Sequence, residues 1–330
     1  MPTEYATPSP PLSVASRSFA RNLPINLFAS VMGLSGLALA WRAAHARLGA
    51  PAFVGEGVGM LALIVFLLLS LGYMTKLVMH AGAVRSEFVH PVSGNFFGTI
   101  PISVLLLSAI VEPYGASVAR DIWILGVAIS LALSFVVISR LLNGQVDVSH
   151  AVPAWLIPGV GTLNIAVTGG HMPVAWAAEV NLIAGAVGGM LALLLSALVV
   201  SRLVHRDPLA PAMTPSLMIL VAPFAVGFLA YSNVAGGVDR FAALLFYFGL
   251  FVFAVIAPKV FRAGVKFSLG WWAIGFPMAA LVNAALRYAE FRASEPLWWL
   301  AIVLLGGLTL VMAGLVVQTI RSIVKGEAFA

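Results

Sequence analysis

Pro101, Pro158, Pro223 and Pro277 each interrupt an apolar run, and Gly33-Leu34-Ser35-Gly36 stands at the corresponding depth of the first such run. From Gly33 onward the steps are 68, 57, 65 and 54 residues, which reads as one helical hairpin repeated five times. Proline removes a backbone hydrogen bond, clashes with the carbonyl four residues earlier and bends a helix. In a bilayer the freed carbonyl must be satisfied by protein or by a water-lined cavity. The chemistry this spacing suits is passage: five bent helices around an axis would line a pore at one level. The other reading is that each proline makes only a local bend.

The residues just before the bends are Met32, Ile100, Ile157, Ala222 and Phe276. Phe276 alone is aromatic, and Gly275 and Pro277 flank it. A ring at mid-depth of a narrow pore blocks by size and by dewetting, and Gly275 would leave it room to swing. The residues leave open that Phe276 merely packs between helices, as most of the 20 phenylalanines must. Ser30, Ser35, Thr99, Ser103, Thr162, Asn164, Thr168 and Asn283 are the candidates for polar lining.

Other chemistries lack their residues. There is no cysteine, so no disulfide or thiolate site. No Gly-x-x-x-x-Gly-Lys-Ser/Thr, His-Glu-x-x-His or Gly-x-Ser-x-Gly pattern occurs, and no cofactor or metal is implied. Gly185-Ala186-Val187-Gly188-Gly189 reads as helix packing rather than a phosphate loop. His45, His80, His90, His150, His171 and His205 fall in loops or at span ends, so no proton relay is expected at mid-depth. An enzyme is not expected.

The elements that must position these residues follow from charge. Only 9% of the chain is charged and 61% is hydrophobic, too little charge to clothe a water-facing surface. The basic residues form no nucleic-acid patch. A helix needs roughly 20 apolar residues to cross a bilayer, and charge-free runs predict ten helices, at about 24–42, 56–78, 95–112, 120–141, 153–170, 177–202, 215–232, 240–260, 268–287 and 297–321. The fold class is all-α integral membrane: ten transmembrane helices as five hairpins around a central pore. The odd spans belong inside, and regular even spans such as Leu61–Leu71 belong outside against lipid.

One side of this arrangement collects twelve of the 18 Lys and Arg and five of the 12 Asp and Glu, net +7, and includes Arg17, Arg21, Lys76, Arg140, Arg202 and Arg321. The other side holds six and seven, net −1, and includes Arg42, Arg47, Arg120 and Arg287. The positive-inside rule puts the richer side, with both termini, in the cytoplasm. Arg17 and Arg21 before an apolar run, then Ala44-His45-Ala46, imitate a signal peptide, but the run exceeds the usual 7–15 residues. The expected organisation is a cytoplasmic segment at 1–22, a ten-helix domain at 23–322 and a cytoplasmic tail at 323–330.

Four segments carry a family resemblance: Glu87-Phe88-Val89-His90-Pro91-Val92 leading to Pro101, Pro153-Ala154-Trp155 with Pro158, Leu220-Val221-Ala222-Pro223, and Trp271 to Met278. In order and spacing the chain resembles the tellurite-resistance/dicarboxylate transporter family, in its bacterial TehA-like branch. The plant slow-type anion channels are more distant, and the length leaves no room for their regulatory tails. The resemblance implies quasi-fivefold symmetry and a homotrimer with one pore per subunit. It implies also a phenylalanine gate on the ninth helix, matching Phe276, with Gly33, Pro101, Pro158, Pro223, Gly275 and Pro277 as kinks and lining. Span one departs from the pattern, with Gly33 in place of a proline.

The function expected is an anion channel of the bacterial inner membrane. It would pass small monovalent anions through an uncharged pore, with anions and the lipid bilayer as partners and no nucleic acid. The alternative is a secondary transporter for C4-dicarboxylates such as malate, or an efflux route for sulfite or tellurite oxyanions.

Overall fold

The computed structural model describes residues 20–144, 146–170, 172–262 and 264–327. Arg17, His171, the rest of residues 1–19 and residues 328–330 lie outside the described residues. Among the described residues there are only helices and their connections. We number the α-helices α1 (Phe28–Leu48), α2 (Ala52–Met79), α3 (Ala81–Val89), α4 (Thr99–Val111), α5 (Ala116–Leu142), α6 (Ile157–Gly169), α7 (Ala177–His205), α8 (Ala222–Val234), α9 (Arg240–Val260), α10 (Gly275–Arg292) and α11 (Glu295–Val324).

Nine described helical spans are long and apolar enough to cross a membrane, each overlapping one expected from the sequence. The remaining expected span, Pro153–Gly169, is 17 residues long, at the short end of what crosses a bilayer. Helix α3 was not expected. It is a short helix on the basic side, joining the first hairpin to the second.

The odd spans share a local form that periodicity did not disclose. A tight 3-10 segment precedes each α-helix: Ile25–Leu27, Ser93–Gly98, Pro153–Leu156, Pro211–Val221 and Leu269–Ile274. Pro101, Pro158, Pro223 and Pro277 fall in the first turn of α4, α6, α8 and α10. Proline is favoured in a first turn, where its fixed φ suits the helix and its missing N–H takes nothing from the α-helical ladder itself. The bends are therefore changes of helix type rather than breaks within one α-helix. In span one the change comes at Leu27–Phe28, and Gly33 lies beyond it, inside regular helix.

The packing order closes a ring. Helix α1 packs on α4, α4 on α6, α6 on α8, α8 on α10, and α10 on α1. Each of α2, α5, α7, α9 and α11 packs on the inner helix of its own hairpin and against one neighbouring inner helix. Four inner spans are 67–78% buried and the outer spans only 17–33%, while nearly all of α6 is buried. Leu68, Phe135, Leu194, Leu244 and Leu310 are among the large side chains left on the outer surface, where lipid is their solvent. This is an all-α membrane protein of five hairpins, with the odd spans inside.

All five outer helices end at one face, each with a basic residue in its last turn: Lys76, Arg140, Arg202, Lys259 and Arg321. Cations there also favour the negative ends of the helix dipoles.

Candidate functional site

The five inner spans meet at a cavity of only about 30 Å3. Its walls are Ala29 and Met32 of α1, Thr99 and Ile102 of α4, Ile157 and Val160 of α6, Ala222 of α8, and Phe276 and Pro277 of α10. Phe96, Ile219, Trp272 and Ala273 come from the 3-10 segments below. Every inner span contributes, and no charged side chain does. The Thr99 hydroxyl is turned back to the carbonyl of Phe96 at 2.6 Å, and the Trp272 indole N–H donates to Thr319 Oγ1 at 3.0 Å. The waist is narrow and apolar.

Phe276 is buried, 6% exposed, against this cavity. Its neighbour Gly275 is where α10 crosses α1. A Cβ on Gly275 would meet Met312 Sδ at 2.9 Å and the Gly33 Cα at 3.3 Å. Gly33 and Gly275 thus form one close contact between inner helices, a small-residue crossing of the kind membrane helices use. Gly33 neither bends α1 nor faces the waist.

Pro101 and Pro158 border a crevice toward α5, shared with Ser134. The carbonyl of Pro158 accepts the hydroxyls of Ser134 at 3.1 Å and Thr162 at 3.0 Å. Pro223 is buried and does not border the central cavity, so Pro277 alone of the four prolines does. The bends aim their neighbours at the axis and take little part in the lining.

The expected polar lining is largely used up locally. Ser30, Ser103, Thr162, Asn164 and Thr168 each donate to a carbonyl three or four residues back. Asn283 donates to Gly36 of α1 at 3.0 Å and to Ala279 at 2.8 Å, and Ser35 is buried with no protein partner. Of the eight, only Thr99 borders the waist. Among the described residues no group of His, Asp and Glu could hold a metal ion.

Sequence reasoning missed a second centre, at the basic face. Glu87 of α3 accepts from Lys76 Nζ at 2.7 Å, from the Tyr73 hydroxyl at 2.9 Å and, through its other oxygen, from the backbone N–H of Ile25 at 2.9 Å. The next carbonyl, of Phe88, accepts from Arg140 at 2.8 Å, whose guanidinium lies 4.0 Å over the Phe88 ring. His90 Nδ1 accepts the N–H groups of Val92 and Ser93 at 3.2 and 3.1 Å, and the Pro91 carbonyl accepts the Trp155 indole N–H at 3.2 Å. Residues 87–91 therefore tie spans one to five together below the waist. The segment Glu87 to Val92 stood out in the sequence only by its family resemblance, which carried no hint of these contacts.

A closed ring of hairpins with an apolar waist is the build of a multi-pass membrane protein of the channel and transporter class. Residues 22–320 match SLAC1, described as voltage-dependent anion channel, and the chain belongs to that family. It is 27% identical over 325 residues to the S-type anion channel SLAH3 of Arabidopsis thaliana, covering 92% of this chain and 48% of the relative. The guard cell S-type anion channel SLAC1 of the same plant is 27% identical over 299 residues, 87% of this chain and 53% of its own. The chain thus spans about half the length of these plant channels. The tellurite resistance protein TehA homolog of Haemophilus influenzae is 28% identical over 319 residues, with 93% of each chain covered.

Proposed function

We propose that the chain is an anion channel of the bacterial inner membrane, gated by Phe276 and passing small monovalent anions through its uncharged waist. The reading includes a homotrimer with one pore per subunit and both termini in the cytoplasm. What carries it is the cavity of about 30 Å3 against which all five inner spans and the Phe276 ring meet. A waist lined by Ala, Ile, Val and Phe offers an ion nothing to replace its water, so it closes by dewetting as much as by size. Opening then requires the ring to leave the axis. The basic ends of the five outer helices support the cytoplasmic assignment of that face.

Patch or bilayer recording tests the proposal. Phe276→Ala should raise chloride and nitrate conductance about tenfold or more, the gain from lowering a barrier by about 1.4 kcal/mol. Unchanged current from well-folded Phe276→Ala protein would remove the gate. Saturating malate uptake that needs a pH gradient, without current, would replace the channel by a coupled carrier.

A further inference from the structure

Helix α10 continues past the waist to Arg292, beyond the end expected near residue 287. Along it, Asn283 and Arg287 follow Phe276 by seven and eleven residues, two and three turns of a 3.6-residue helix. All three therefore share the face that borders the waist. From Trp272 to Ala289 every residue is buried except Asn283 and Arg287, which are partly accessible. In a helix enclosed on its other sides, that stripe is the accessible face above the waist. Arg287 stands in it about 16 Å beyond Phe276, at 1.5 Å per residue.

The surroundings of Arg287 hold it without neutralising it. It donates to Asn233 Oδ1 at 2.6 Å and to the carbonyl of Ser232 at 3.3 Å, both on α8. Asn233 is fixed in turn, because its amide nitrogen donates to the carbonyls of Ala166 and Val167 on α6 at 3.0 and 2.8 Å. This leaves its oxygen turned to the guanidinium. Two of the five guanidinium N–H groups are so engaged among the described residues. No carboxylate among them forms an ion pair with Arg287. The charges whose fields reach it are Arg47 and Glu290, which are paired with each other at 2.7 Å. The local sum is one positive charge, rigidly placed at the outer end of three inner helices.

We infer that Arg287 is the outer anion-recruiting site of the pore, holding small inorganic anions such as chloride or nitrate before they reach the waist. The inference rests on the anion-channel reading above. A fixed charge in a cleft raises the local concentration of its counter-ion, and here it acts before the uncharged barrier. Asn233 is a positioning residue for it.

The test is bilayer recording of the whole protein with chloride varied on the outer side. Arg287→Gln should lower current about two- to fivefold at about 20 mM chloride, the factor one charge at 4–8 Å gives in water-like surroundings. The deficit should vanish near 1 M, where the Debye length is about 3 Å. Arg287→Lys should keep most of the low-salt current, and Glu290→Gln, which removes a negative charge, should raise it. A merely structural arginine would instead give a loss that persists at high salt and that Lys does not rescue. That result, or full low-salt current in Arg287→Gln, overturns the inference. If Arg287→Gln does not fold, an unchanged low-salt current in Glu290→Gln overturns it equally. Absence of anion current from the unsubstituted protein and from Phe276→Ala would instead refute the channel reading itself.

Discussion

Helices α10 and α11 are consecutive, antiparallel partners of one hairpin, yet they solve different problems. Helix α11 runs 30 residues without interruption and is buried only along one face, by Ala301, Leu305, Leu308, Met312 and Leu315. Helix α10 runs 18 residues after a 3-10 segment, and its span carries the glycine crossing, the waist aromatic and an arginine. The same division holds around the ring. Each outer span has a higher mean hydropathy than any inner span among the nine long helices. Lipid demands continuous apolar surface, whereas an enclosed helix is answerable to its neighbours. The difference teaches that the least greasy spans of this protein are its interior.

The comparison makes the inner ring intolerant and the outer face permissive. After Phe276→Ala, whose effect is on conductance, the largest loss should follow Glu87→Ala. Lys76 is almost fully enclosed, its side chain 5% exposed, and would be left as a buried unpaired charge. That costs about 3 kcal/mol, read as a lower melting temperature in detergent. Gly36→Val should come next, because even a Cβ on Gly36 would lie 2.6 Å from the Cβ of Ala279. Forcing α1 from α10 should cost about 1–3 kcal/mol and alter gating together with stability. Leu68→Ala, on the lipid-facing side of α2 at 65% exposure, should change stability by less than about 0.5 kcal/mol. A loss there comparable to that of Gly36→Val would break the inner–outer distinction.

Much of this was legible beforehand for a physical reason. Crossing a bilayer requires a run without charge, so nine long spans and the shorter Pro153–Gly169 could be found by inspection. The prolines sorted inner from outer because only an enclosed helix can begin again midway. What misled was treating Gly33 as the equivalent of a proline. Glycine marks a bend and a close crossing with the same letter, and only the neighbour, here Gly275 with Met312, distinguishes them. The polar lining was overestimated for a related reason. A hydroxyl in a helix can bond the carbonyl a turn behind it, as Thr162 and Thr168 do, and sequence alone does not say which way it turns. Arg287 was counted with the outer loops because periodicity did not reveal that α10 persists to Arg292.

The sequence by itself determined that this is a membrane protein, where its long apolar spans lie, which of them are interior and which face is basic. All of these depend on residue type counted along the chain, because the bilayer imposes one length and one polarity on every crossing. Only the tertiary structure decided that the ring closes, with α1 against α10, and that thirteen residues from five spans border a cavity of only about 30 Å3. Those depend on which side chains meet across 250 residues of chain, as Asn283 meets Gly36 at |i−j| = 247, and such meetings have no signature in local order. The waist is a property of five helices at once, so no single one of them could announce it.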